Sequence, residues 1–114
     1  MGRASTREDR ESQWLKGVLD LAVLAALARE GSAYGYGLLR SLADAGLADL
    51  KGGTVYPVLG RLEDDGLVRS EWVTGDAAPA RRYFFLTERG WAALETGREG
   101  WAGFVRRMTK ALEG

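Results

Sequence analysis

Apolar positions recur along this chain in three different rhythms, and each predicts a different element. Over residues 14–29 they are almost continuous, with Trp14, Leu15, Val18, Leu19, Ala22 and Leu27 among them. This predicts one helix, capped by Ser12, ended by Gly31 and apolar nearly all round. A helix in a small domain buries one face against its own core, so an apolar circumference predicts a second burying partner, most simply another copy of the chain. Residues 32–46 read as a shorter helix with Leu38, Leu39 and Leu42 on its inner face and Gly46 as its stop. After a linker at 47–50, Val55, Val58, Leu59 and Leu62 recur at spacings of three and four, which predicts a third helix with one buried face. Thr54 is placed to cap it, Pro57 falls in its first turn, where a missing N–H costs little, and Gly66 ends it.

After Gly66 the rhythm changes from 3.6 to 2. Leu67, Arg69, Glu71 and Val73 alternate with Val68, Ser70 and Trp72, as in a strand. Residues 74–80 form a turn-rich loop, and residues 81–87 form a second strand. Two short helices followed by a hairpin have the outline of a winged helix-turn-helix. Thr87 then opens a last helix running toward Leu112, with Trp91, Leu94, Trp101, Val105, Met108 and Leu112 as an apolar seam of about three heptads. Only a second subunit is left to cover that seam. Gly97, Gly100 and Gly103 thin the helix beside Trp101, leaving room for a close-packed helix or a flat ligand. The fold class is therefore α+β, mostly α. A flexible arm covers residues 1–12, a winged helix-turn-helix residues 13–87, and a C-terminal dimerisation helix residues 88–114.

Composition narrows the function. The chain has 114 residues, no cysteine and no histidine, with 16 basic and 16 acidic residues. The usual catalytic bases and thiolate nucleophiles are missing, so an enzyme is not expected, nor is a cofactor. Glu63, Asp64 and Asp65 are consecutive on a helix and point different ways, which suits a solvated helix end better than a metal site. The longest apolar run, residues 21–28, is far short of the ~20 residues of a membrane span. With no export pattern at the start and no cysteine, a cytoplasmic protein is expected. Zero net charge requires a nucleic-acid binder to segregate its cations onto one surface.

The third helix offers such a surface. Lys51, Thr54, Tyr56 and Arg61 lie on its outer side, and free amides at a helix start favour anions. Arg81 and Arg82 lead into the second hairpin strand, where they would touch DNA backbone. Arg3, Arg7 and Arg10 could extend the contact through the arm, although Glu8, Asp9 and Glu11 offset their charge.

Several short motifs, in order and at compatible spacing, resemble the PadR family of transcriptional regulators. They are Leu15-Lys16-Gly17, Tyr34-Gly35-Tyr36-Gly37, Gly53-Thr54-Val55-Tyr56-Pro57, Arg61-Leu62-Glu63, Asp65-Gly66-Leu67-Val68 and the run from Arg82 through Tyr83-Phe84-Phe85-Leu86-Thr87 to Gly90. The length and single C-terminal helix resemble the compact branch of that family, which includes multidrug-binding repressors. The resemblance implies a homodimer in which paired tryptophans sandwich a planar hydrophobic ligand. Trp101, fourteen residues after Thr87, matches that tryptophan, and Leu15, Val18, Leu19, Ala22 and Val105 would line the pocket. Trp14 would join the seam residues in the dimer interface.

Together these readings predict a repressor on double-stranded, palindromic DNA. Two copies of the third helix would enter successive major grooves roughly 34 Å apart. Tyr36 and Arg40 would support them from the preceding helix. A winged-helix module for protein interaction and a ligand-binding dimer without DNA are the alternatives.

Overall fold

The computed structural model describes residues 7–75 and 79–114. Its elements run α1 (Arg7–Lys16), α2 (Leu19–Glu30), β1 (Ala33–Tyr34), α3 (Gly35–Asp44), α4 (Gly52–Asp64), β2 (Val68–Val73), β3 (Arg81–Leu86) and α5 (Glu88–Leu112). The expected arm is helical from Arg7 onward, with Arg7 paired to Glu11 one turn later. Ser12 therefore lies inside a helix and caps nothing, and Arg3 falls outside the described residues.

The single helix expected over residues 14–29 is two. At Gly17 and Val18 the backbone tightens into bonds to the third residue back, Gly17 N–H to the Trp14 carbonyl and Val18 N–H to that of Leu15. Apolar positions resume at Val18 in a pattern a continuous helix would also give, so their spacing does not reveal the break, and Lys16-Gly17 is its local mark. The reason for α2's apolar circumference also differs from expectation. It is the central helix, packed by α3, α4, α5 and β3 of the same chain. Val23, Leu24, Ala26 and Leu27 are all buried there without a second subunit.

Helices α3 and α4 and the sheet close on that centre. Leu38 and Leu42 of α3 and Val55, Val58, Leu59 and Leu62 of α4 complete the core with Val68 and Phe84 from the sheet. Truncating any of the fully buried leucines to alanine would typically cost about 2–5 kcal/mol. Gly31, Gly46 and Gly66 all take positive φ at the helix ends, a conformation that side-chain-bearing residues rarely adopt. The stops predicted from sequence stand at those three places.

The sheet is antiparallel in the order β1–β3–β2. Its third strand, β1, is only two residues long and pairs Ala33 with Phe84 and Tyr34 with Tyr83. These two residues fall within the helix expected over residues 32–46, which begins only at Gly35. Across the hairpin Ser70 faces Phe84, Trp72 faces Arg82 and Val73 faces Arg81.

Thr87 both caps α5 and anchors its start. Its hydroxyl accepts from the Gly90 amide at 3.0 Å and donates to the Gly66 carbonyl at 2.7 Å, tying the helix start to the end of α4. Gly90 packs so tightly on the Leu67 carbonyl that a β-carbon could not fit. One turn on, Leu94 is fully enclosed in the core. Its expected place in a dimer seam is thus taken by its own chain. Farther along, Leu21 fills the notch at Gly97, where a β-carbon would come within 2.5 Å of Leu21 Cδ1.

Candidate nucleic-acid interface and apolar groove

The start of α4 is bare. Lys51 is its N-cap residue in extended conformation, and no side chain caps the first turn. Thr54 is the third helical residue, where its amide bonds to the Lys51 carbonyl, so the capping role expected for it is not observed. Pro57 lies in the second turn rather than the first. It is exposed, and the carbonyl it deprives of a partner belongs to exposed Gly53, which water can reach. Lys51, Thr54, Tyr56 and Arg61 are all exposed, as predicted for an outer face, while Val55, Val58, Leu59 and Leu62 are buried. Side chains added at Gly53 or Gly60 would meet nothing. The outer surface of α4 therefore has low relief, and another molecule can come close to its backbone.

Tyr56 is less free than its exposure suggests. Its ring lies over Gly52, and its hydroxyl occupies the space a β-carbon on Gly35 would need. The phenol thereby ties α4 to the start of α3. Tyr36 and Arg40 are exposed on α3. Arg61 instead stands beside a small cleft between α4 and the α1–α2 break, shared with Lys16, Asp20 and Asp65.

The two adjacent arginines of β3 do not act as a pair. Strand alternation sends them to opposite faces of the sheet. Arg81 lies with its guanidinium 4.6 Å above the Tyr34 ring, in a cluster where Tyr34 also meets Tyr83 at 5.4 Å and Tyr36 at 6.3 Å. It makes no ion pair among the described residues. Arg82 shares the inner face with buried Phe84. Its guanidinium reaches Glu63 Oε1 at 2.7 Å and Ser70 Oγ at 2.9 Å, and the Ser70 hydroxyl donates to Glu63 Oε2 at 2.6 Å. Arg82 is thus held by protein groups, whereas the sequence suggests it as a DNA-backbone contact. Glu63 is correspondingly an ion-pair partner, whereas Asp64 and Asp65 are exposed as expected. The signal for this network was hidden, because Glu63 and Arg82 are nineteen residues apart and meet only when the hairpin folds back on α4. Among the described residues no group of acidic side chains is arranged to hold a metal, and no helix is long and apolar enough to cross a membrane.

An open apolar groove of about 1020 Å³ runs between α1, the start of α2 and the outer half of α5. Trp14, Leu15, Val18, Trp101, Val105 and Met108 line it, together with Phe104, whose ring tilts against Trp101 at 5.9 Å. Phe104 was missed in the sequence because it falls one position off the heptad seam. Leu19, expected in a pocket with Trp101, is buried in the core, Ala22, also expected there, packs partly buried against it, and neither lines the groove. Leu112 reaches the far end, and Trp91 is half exposed outside the lining. Gly100 opens onto the groove with nothing near it.

A model of the transcriptional regulator PadR-like family matches residues 23–96, well over half of the chain. A PadR family transcriptional regulator from Eggerthella lenta is 34% identical and superposes with a TM-score of 0.82, covering 93% of this chain and 91% of its own. A PadR-like transcription factor from Bacteroides fragilis is 31% identical, with a TM-score of 0.73 over 90% of this chain and 98% of its own. A PadR-like transcriptional regulator from Bacillus cereus is 29% identical, with a TM-score of 0.76 and the same two coverages. Among curated proteins no sequence matches.

Proposed function

Because this chain belongs to the PadR-like family of transcriptional regulators, we propose that it is a homodimeric DNA-binding repressor, reading DNA with α4 and joining its partner through α1 and α5. The observation that carries this is the form of α4. Its first turn is uncapped, its outer face bears Lys51, Thr54, Tyr56 and Arg61, and its glycines keep that face low enough to enter a major groove. Arg81 on the wing supplies a cation beside it. Tyr36 and Arg40 supply polar groups from α3.

The exposed strip of α5 supports pairing. Trp101, Phe104, Val105, Met108 and Leu112 leave an apolar strip of α5 uncovered, and Trp14 of α1 stands beside it, 67% exposed. Such a contiguous patch is unusual on a monomer. A second copy covering it would hold two α4 helices at a fixed separation, roughly 34 Å for successive major grooves. The groove between α1 and α5 would then be enclosed, with Leu15, Val18, Trp101 and Val105 available to a planar hydrophobic effector. Such a ligand shifts DNA affinity only by its differential affinity for the DNA-competent and incompetent arrangements.

A gel shift on the DNA upstream of the protein's own gene, with and without planar hydrophobic compounds, tests this. Retarded duplex that is released by such a compound is expected. No retardation at low salt would exclude the DNA reading, and retardation indifferent to every compound would exclude the effector.

A further inference from the structure

The inner face of the wing carries a device that the proposed DNA contact does not require. Arg82 and Glu63 form an ion pair at 2.7 Å, and Ser70 joins both, accepting from Arg82 Nε and donating to the free oxygen of Glu63. The three residues come from β3, the last turn of α4 and β2. Each carboxylate oxygen has its own donor, and the guanidinium lies 5.2 Å above the ring of buried Phe84. The pair is partly shielded from water, with the Glu63 side chain 30% exposed. Both strands of the wing are thereby fastened to the end of the helix that reads DNA.

We infer that Glu63, Ser70 and Arg82 form a strut that sets the angle of the wing against α4, and that Arg82 is a positioning residue rather than a phosphate contact. The inference rests on the DNA-binding reading above. The physical reasons are local. The Glu63 carboxylate neutralises the guanidinium, so releasing it to a phosphate would break both of its hydrogen bonds and leave an unpaired carboxylate facing DNA. Arg81, on the other face, has no such commitment among the described residues. On its other face the wing is steadied by Arg81 stacked on Tyr34, but its β2 edge has no such support among the described residues. Trp72 and Val73 are exposed at its outer end, Trp72 by 69%. Without the strut the outer end of the hairpin would open more often and sample a range of angles, and ordering it on DNA would cost affinity.

Glu63→Gln separates the two roles by the sign of its effect. It keeps the shape of the side chain and removes one negative charge near the DNA. If Arg82 touched phosphate, this variant would free the arginine, and binding would hold or tighten. The strut predicts instead that Glu63→Gln and Arg82→Gln each weaken binding about 3- to 10-fold, and that the double variant is no weaker than either single one. Fluorescence anisotropy on a duplex that the unaltered protein binds reads this directly. Unchanged or tighter binding by Glu63→Gln, with weaker binding by Arg82→Gln, would overturn the strut. A second measurement needs no DNA. Hydrogen exchange at the amides of Trp72 and Arg82 should quicken in Glu63→Gln while α2 amides keep their protection. Equal hairpin exchange in both proteins would also overturn it. Failure of the unaltered protein to bind any duplex would refute the DNA reading alone, leaving the exchange experiment to decide the strut.

Discussion

The hydroxyl of Tyr56 sits where a side chain on Gly35 would have to be. One residue is in the helix proposed to read DNA and the other starts the helix before it, so a glycine on α3 sets the pose of a phenol on α4. Gly35→Ala places a methyl group against the far end of an exposed side chain, which can swing aside. The fold should therefore barely notice, with unfolding free energy within about 0.5 kcal/mol of the parent. DNA affinity should fall several-fold, because Tyr56 loses its support. Denaturant unfolding and anisotropy on the same preparation check both halves. A large stability loss, or unchanged DNA affinity, would contradict this role for the contact.

Gly90 makes the opposite case. Its neighbour is the Leu67 carbonyl, which is backbone and already accepts from the Thr87 amide. Gly90→Ala should cost about 3 kcal/mol, at the upper end for overpacking. Thr87→Ala, which removes the cap and the bond to Gly66, should cost about 1–2 kcal/mol, and Thr87→Ser should recover most of it. Urea midpoints at constant m-value are the appropriate readout.

Arg81 is the wing cation without a carboxylate partner among the described residues. Arg81→Ala should weaken binding to all duplexes alike, and the slope of log K against log salt should fall by about 0.9, as for one lost phosphate contact. Titrations at several salt concentrations measure that slope. An unchanged slope would take Arg81 off the DNA.

Trp101 lines the groove beside Phe104 and Gly100. Trp101→Ala should abolish quenching of tryptophan fluorescence by planar hydrophobic compounds while leaving the protein dimeric. The remaining tryptophans, at 14, 72 and 91, are all exposed and keep the protein fluorescent enough to measure. Quenching that persists at full affinity would remove Trp101 from the ligand site.

Much of this architecture was legible in the sequence because local chemistry and global packing agree. Gly31, Gly46 and Gly66 stop helices where they were expected, and the change of rhythm after Gly66 marks the hairpin. Four apolar residues fix the buried face of α4. The failures have a common cause, which is that one-dimensional patterns do not say which neighbour covers an apolar surface. Leu94 reads as seam but lies in the core, and the apolar girth of α2 belongs to a central helix rather than to a dimer face. Leu19 and Ala22 are lost from the groove for the same reason. Arg81 and Arg82 look equivalent in sequence, yet alternation separates them and Glu63 captures one. The two-residue β1 carries too little pattern to be seen, and at Gly17 the apolar positions on both sides fit one continuous helix, which concealed the break.

Two copies of α4 held at a fixed spacing by paired α5 helices are the centre of the account. The most direct test is the mass of the protein–DNA complex by sedimentation equilibrium, using a duplex from the gene's own upstream region. The expected mass is that of one duplex plus two copies of the 12.4 kDa chain. A folded chain that binds the duplex as a single copy would contradict it.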